Sequence, residues 1–151
     1  MCFKLNIAHP ARLPLGAPDG FELREVALAS FPRDVQVLSA ETGGCACDLV
    51  WADTADATGV ERSKRRQKGW SESKIQRALD ARTHARDKSN PGRAAFERWL
   101  TTAVQSTPGL RVLVSEHGEP DPSVSEVRDV RVTDFLRSPL QYRGGWVRLQ
   151  A

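Results

Sequence analysis

The sequence predicts an α+β domain in which an antiparallel sheet is covered by helices on one face, and three observations carry that prediction. Short β-branched and apolar runs recur along the chain: "FKLNIA" at 3–8, "DVQVLSA" at 34–40 and "LRVLV" at 110–114. Two longer stretches, 71–89 and 90–106, carry apolar residues at helical spacing. Pro- and Gly-rich segments separate these runs, as expected where the chain must turn.

In chain order, 3–8 reads as a strand, and "HPARLPLGAP", with Pro10, Pro14 and Pro18, reads as a loop. Asp19 is placed to cap a helix, with Glu22 three residues later and Leu23, Val26, Ala27 and Phe31 at helical spacing, so a helix is predicted over 20–30 and stopped by Pro32. A strand over the same residues is the alternative. Residues 34–40 and 45–51 read as strands joined by Gly43-Gly44, the signature of a tight hairpin whose turn needs positive φ. That hairpin sets Thr42 opposite Cys45, Ala40 opposite Cys47 and Leu38 opposite Leu49.

Residues 52–69 show no apolar periodicity and read as a loop or a segment ordered by a partner. A helix follows, with Ser71 or Ser73 as cap and Ile75, Ala78 and Leu79 as a short buried stripe that Arg82 and Arg86 continue. The next helix is the clearest: Asn90 caps, Pro91 takes the first position, and Phe96, Trp99, Leu100, Ala103 and Val104 form one face before Pro108-Gly109 ends it. Strands at 110–114, 127–132 and 144–149 complete the chain. The first six elements spell βαββαβ, the ferredoxin-like order, with extra C-terminal strands. All of 1–151 is read as a single domain, since this length suffices for one core.

The composition, 40% hydrophobic and 27% charged, excludes wholesale disorder. No apolar run is long enough to span a membrane, and the N-terminus lacks the basic and continuous apolar regions of a secretory signal. A cytoplasmic chain without a membrane role is expected, and its three cysteines are expected to be reduced thiols. Nothing in the pattern requires a second copy of the chain.

Two regions could carry function. The first is basic: residues 60–98 hold twelve Lys or Arg against five acids. "RSKRRQKGW" sets Arg62, Lys64, Arg65, Arg66 and Lys68 ahead of Trp70, with Lys74 and Arg77 on the following helix. Such a strip could neutralise phosphates while Trp70 stacks on an unpaired base. The competing reading packs Trp70 at the helix start and leaves the charges solvated. The resulting expectation is a non-catalytic binding or regulatory module whose segment 62–77 meets nucleic acid or an acidic protein.

The second region is "GGCACD". On a strand, Cys45 and Cys47 share a face roughly 6.6 Å apart in Cα, at the far edge of disulfide reach. Two thiolates supply half of a tetrahedral zinc site. The other half would come from Cys2, His9, His84, His117 or Asp48, none of which stands at ligand spacing. The hairpin pairing instead predicts that Cys45 and Cys47 pack with Leu38, Ala40, Leu49 and Trp51 on an apolar face, and leaves Asp48 pointing the other way without a structural account. A thiol- or metal-dependent protein centred on Cys45 and Cys47 is therefore the alternative function.

Enzyme signatures are lacking. Cys2 follows the initiator Met but precedes Phe3, not the Gly that follows the nucleophilic N-terminal cysteine of amide-transferring enzymes. There is no phosphate-cradling Gly-rich loop, no G-x-S-x-G and no H-E-x-x-H. No catalytic residue, metal or cofactor is assigned from the sequence.

Overall fold

In the computed structural model, which describes residues 2–13, 18–50 and 56–151, the chain forms a six-stranded mixed sheet with five helices. Three strands come first: β1 (Phe3–His9), β2 (Glu22–Glu25) and β3 (Gln36–Glu41). Four helices follow, α1 (Cys47–Val50), α2 (Asp56–Gln67), α3 (Glu72–Ser89) and α4 (Pro91–Ser106). The chain then returns to the sheet as β4 (Arg111–Glu116) and β5 (Arg128–Arg131). It closes with α5 (Val132–Arg137), a 3₁₀ turn at Pro139–Tyr142 and β6 (Trp146–Gln150).

The strands lie in the order β2-β3-β1-β4-β6-β5, antiparallel throughout except for the parallel pair β5 and β6. The ferredoxin-like βαββαβ order and the wholly antiparallel sheet are thus corrected. The expected helix over 20–30 is in part strand β2, whose Leu23 lies opposite Ala40. Its apolar residues serve both sides of the sheet, Leu23 one face and Val26, Leu28 and Phe31 the other, which a helical stripe could not do. Among the described residues no helix stands between β1 and β2, so the split βαβ pattern does not arise.

β1 is central, largely buried on both faces, and both of its edges are paired. Phe3, Leu5 and Ile7 point to the face covered by α1, α4 and α5, where Leu49, Val50, Phe96, Leu100, Val104, Val132 and Phe135 close the main core. Ala8, Val37, Leu113 and Trp146 point the other way. Among the described residues no helix packs on them; they are sealed by Val26, Leu28, Phe31 and Val35 from one connection and by Val124 and Val127 from another. Phe31 meets Trp146 edge to face at 4.8 Å.

The second expected correction concerns 45–51. The two-residue turn exists: Gly43 and Gly44 have φ of +58° and +85°, and Thr42 bridges Cys45. Beyond it the chain leaves the sheet. The Ala46 N–H donates to the Phe3 carbonyl at 3.2 Å, and Leu49 and Val50 donate back to the Ala46 carbonyl, closing a helical turn. A short apolar run fits a buried helical turn as well as a strand, and β3 already has β1 and β2 as partners, so the pairings of Ala40 with Cys47 and Leu38 with Leu49 do not form. Trp51 lies outside the described residues.

The third correction is α2, predicted as loop within 52–69. Its stability does not come from an apolar stripe: Val60 is 49% exposed. Instead Glu61 and Arg65 pair one turn apart at 2.7 Å, and Arg62 reaches Glu72 at 3.1 Å and Gln76 at 2.7 Å on α3. A polar helix holds where such pairs and a neighbouring helix support it.

Helices α3 and α4 lie as predicted, with Ile75 and Leu79 buried and the Asn90 side chain accepting from the Arg93 N–H at 2.9 Å. Among the described residues no helix is long and apolar enough to cross a membrane.

Candidate thiol site

The start of β1 and the turn after β3 meet at one corner of the sheet. The Phe3 carbonyl accepts from Ala46, the Phe3 N–H donates to Cys47 Sγ at 3.4 Å, and the Cys2 carbonyl accepts from the His117 N–H at 2.9 Å. These contacts fix Cys2 beside the turn that carries Cys45 and Cys47. Cys2 Sγ lies 2.8 Å from Cys45 Sγ and 3.9 Å from Cys47 Sγ, and all three sulfurs lie within 4.8 Å of one another. No disulfide links them.

The thiols are not sealed in the core as the hairpin pairing predicted. Cys2 is exposed, and Cys45 and Cys47 are half-buried, although Cys47 does lean on the main core. The backbone serves the sulfurs: the Cys47 N–H donates to Cys45 Sγ at 3.2 Å. Burial opposes ionisation of Cys45. Hydrogen bonds from Cys2, from the Cys47 thiol and from the Cys47 backbone outweigh it and hold the Cys45 pKa below the ordinary thiol value. Cys2 moves the opposite way, pushed up to about 11, first by the hydrogen bond it shares with Cys45 and then by desolvation.

The residue left without a role in the sequence, Asp48, is built into the scaffold. Its side chain accepts from Thr42 Oγ1 at 3.2 Å, and its carbonyl accepts from Asn90 Nδ2 at 3.0 Å, tying the turn to the start of α4. Gly92 permits that approach: a Cβ there would stand 2.5 Å from the Gly20 carbonyl oxygen and 3.0 Å from Thr42 Cγ2. Arg93, only 4% exposed, lies behind the turn. Its guanidinium binds Glu97 at 2.7 Å and donates to the Leu49 and Leu136 carbonyls, joining α1, α4 and α5.

No family model, no curated protein and no solved structure matches this chain. Its chemistry is therefore read from its own residues.

Of the other candidate ligands, His9 is buried at the end of β1, bonded to Ala11 and to the Pro108 carbonyl. His84 is exposed on α3, and His117 is exposed beside Cys2. Cys2 is the member that sequence spacing missed. It stands 43 residues from Cys45, and only the placement of β1 between β3 and β4 brings it there.

The basic residues gather on the α2–α3 hairpin. Arg62 and Arg66 both meet Glu72, Arg65 meets Glu61, and Arg77 donates to the Ser73 carbonyl at 3.4 Å. Trp70 is covered by its own cations, Arg65 at 4.8 Å and Lys74 Nζ at 4.4 Å from the ring centroid. Lys64 and Lys68 are exposed nearby.

Proposed function

We propose that the protein binds a soft, thiophilic metal ion of the zinc class through Cys2, Cys45 and Cys47. The observation that carries this reading is the convergence of three sulfurs from two distant segments on one point. Two sulfurs bound at about 2.3 Å to one tetrahedral ion lie about 3.8 Å apart; the Cys2–Cys47 separation of 3.9 Å matches that span, and Cys2 and Cys45, at 2.8 Å, would part by about 1 Å to admit the ion. Thiolates are the ligands soft metals select, and N–H donors to ligand sulfurs stabilise the charged form. Three cysteines leave a fourth position for water or an exogenous donor. The bound ion would fasten the chain start to the β3–α1 turn.

The basic hairpin is the second candidate region, as a surface for nucleic acid or an acidic protein. It is offered less strongly by the geometry than by the sequence, because Arg62, Arg65 and Arg66 already meet Glu61 and Glu72, and Trp70 carries two cations over its ring.

The test is elemental analysis of the reduced full-length chain after loading with Zn²⁺ or Cd²⁺ and desalting. One ion per chain is expected, and Cys2→Ser, left with two sulfur ligands, should retain clearly less of it through desalting. A chain with three reduced thiols that retains no ion, or that retains it unchanged after Cys2→Ser, refutes the reading.

A further inference from the structure

A cavity of about 400 Å³ opens beside Cys45 on the sheet face away from the helices. Its floor is a row across three strands: Asn6 of β1 lies opposite Ser39 of β3, which lies opposite Arg24 of β2. Asn6 is 3% exposed, yet among the described residues its amide makes no hydrogen bond. Its polar atoms are not sealed from solvent, because the cavity opens onto them. Here the amide lines the cavity, so a ligand can reach both its donor and its acceptor.

The charges around the cavity are uneven in burial. Arg24 and Glu41 neutralise one another at 2.9 Å. Lys4 is half-buried in the wall and among the described residues no acid pairs with it, whereas Asp121 is exposed at the rim, where solvent screens it. Val26 and Leu28 provide an apolar side. An ammonium, a two-sided amide and an apolar wall in one concave site form the pattern of small-molecule recognition.

We infer that this cavity binds a small organic carboxylate, its charge on Lys4, a hydrogen bond on Asn6 and its apolar part on Val26 and Leu28. The inference goes beyond metal binding and does not depend on it, since neither Lys4 nor Asn6 belongs to the thiol cluster. Cys45, which lines the same cavity, serves as reporter.

The experiment compares alkylation of Cys45 by iodoacetate and by iodoacetamide, two reagents with the same reacting carbon that differ in charge. It uses the reduced, chelator-treated full-length chain at one fixed pH and is read by peptide mass spectrometry, with exposed Cys2 as internal reference. The iodoacetate-to-iodoacetamide ratio at Cys45 should exceed that of the same chain in urea by several-fold. It should fall back to the unfolded value in both Lys4→Gln and Asn6→Leu. A native ratio no higher than the unfolded one overturns the inference, and so does a raised ratio that survives both substitutions. The ratio is read on a chain stripped of metal, so failure here leaves the metal measurement standing, and the reverse.

Discussion

Cys2 Sγ lies 2.8 Å from Cys45 Sγ across 43 residues of chain, and they are brought together by the sheet, the turn after β3 and the residue that follows β4. The Phe3 carbonyl holds Ala46, Glu116 pairs with Phe3, and His117 holds the Cys2 carbonyl. The thiol cluster is thus a product of the fold, and disturbing its supports should disturb the cluster.

The first prediction concerns reactivity. Exposure alone would make Cys2 the fastest thiol to alkylate, but thiolate fraction governs the rate. Cys45 has its pKa lowered and Cys2 has its own raised to about 11. With iodoacetamide at pH 8, Cys45 should react before Cys2 in the folded chain, and the order should vanish in urea. The sign for stability follows for Cys2. Its folded pKa lies above the unfolded value of 9.0, so its contribution is present below pH 9 and is lost as pH rises through about 11. Unfolding midpoints measured between pH 9 and 11 should show that decline.

The second prediction concerns Arg93. It joins α1, α4 and α5 through Glu97 and two backbone carbonyls. Arg93→Met removes the ion pair to half-buried Glu97 and leaves the Leu49 and Leu136 carbonyls without this donor, and an unsatisfied buried acceptor costs about 1–3 kcal/mol. Urea unfolding checks the loss. A change below 1 kcal/mol, on the order of a surface pair, would show that the guanidinium does not hold these helices.

Gly92 supplies the third. The contacts a methyl would make there are with the Gly20 backbone and with Thr42 of the thiol turn, neither of which can swing aside as a flexible side-chain end would. Gly92→Ala should destabilise by about 1–3 kcal/mol, the range for an overpacked site. It should also weaken metal retention, because Thr42 bridges Cys45. Measured together, the unfolding midpoint and the metal stoichiometry of this variant link α4 to the cluster.

Much of the frame was legible in local sequence. β1, β3, β4, β5 and β6, the helices α3 and α4, the Asn90 cap and the Gly43-Gly44 turn bridging Thr42 and Cys45 all follow from periodicity and turn chemistry. What escaped depends on contacts between distant segments. α2 has no apolar stripe, and its supports are ion pairs, one of them to a helix not yet formed when the residues are read in order. β2 was hidden because Leu23 serves one face of the sheet while Val26, Leu28 and Phe31 serve the other, giving a spacing that imitates a helix. The thiol site was half visible: the Cys-x-Cys pair could be seen, but its third member required knowing that β1 runs between β3 and β4. Arg93, read only as one cation of a basic stretch, turned out to be a buried anchor.

The most direct measurement of the central claim is X-ray absorption at the metal edge of the reduced chain loaded with one equivalent of Zn²⁺. Three sulfur ligands at about 2.3 Å are predicted for the parent chain and two for Cys2→Ser. A first shell of oxygen and nitrogen, or a sulfur count in the parent that Cys2→Ser leaves unchanged, would contradict the account.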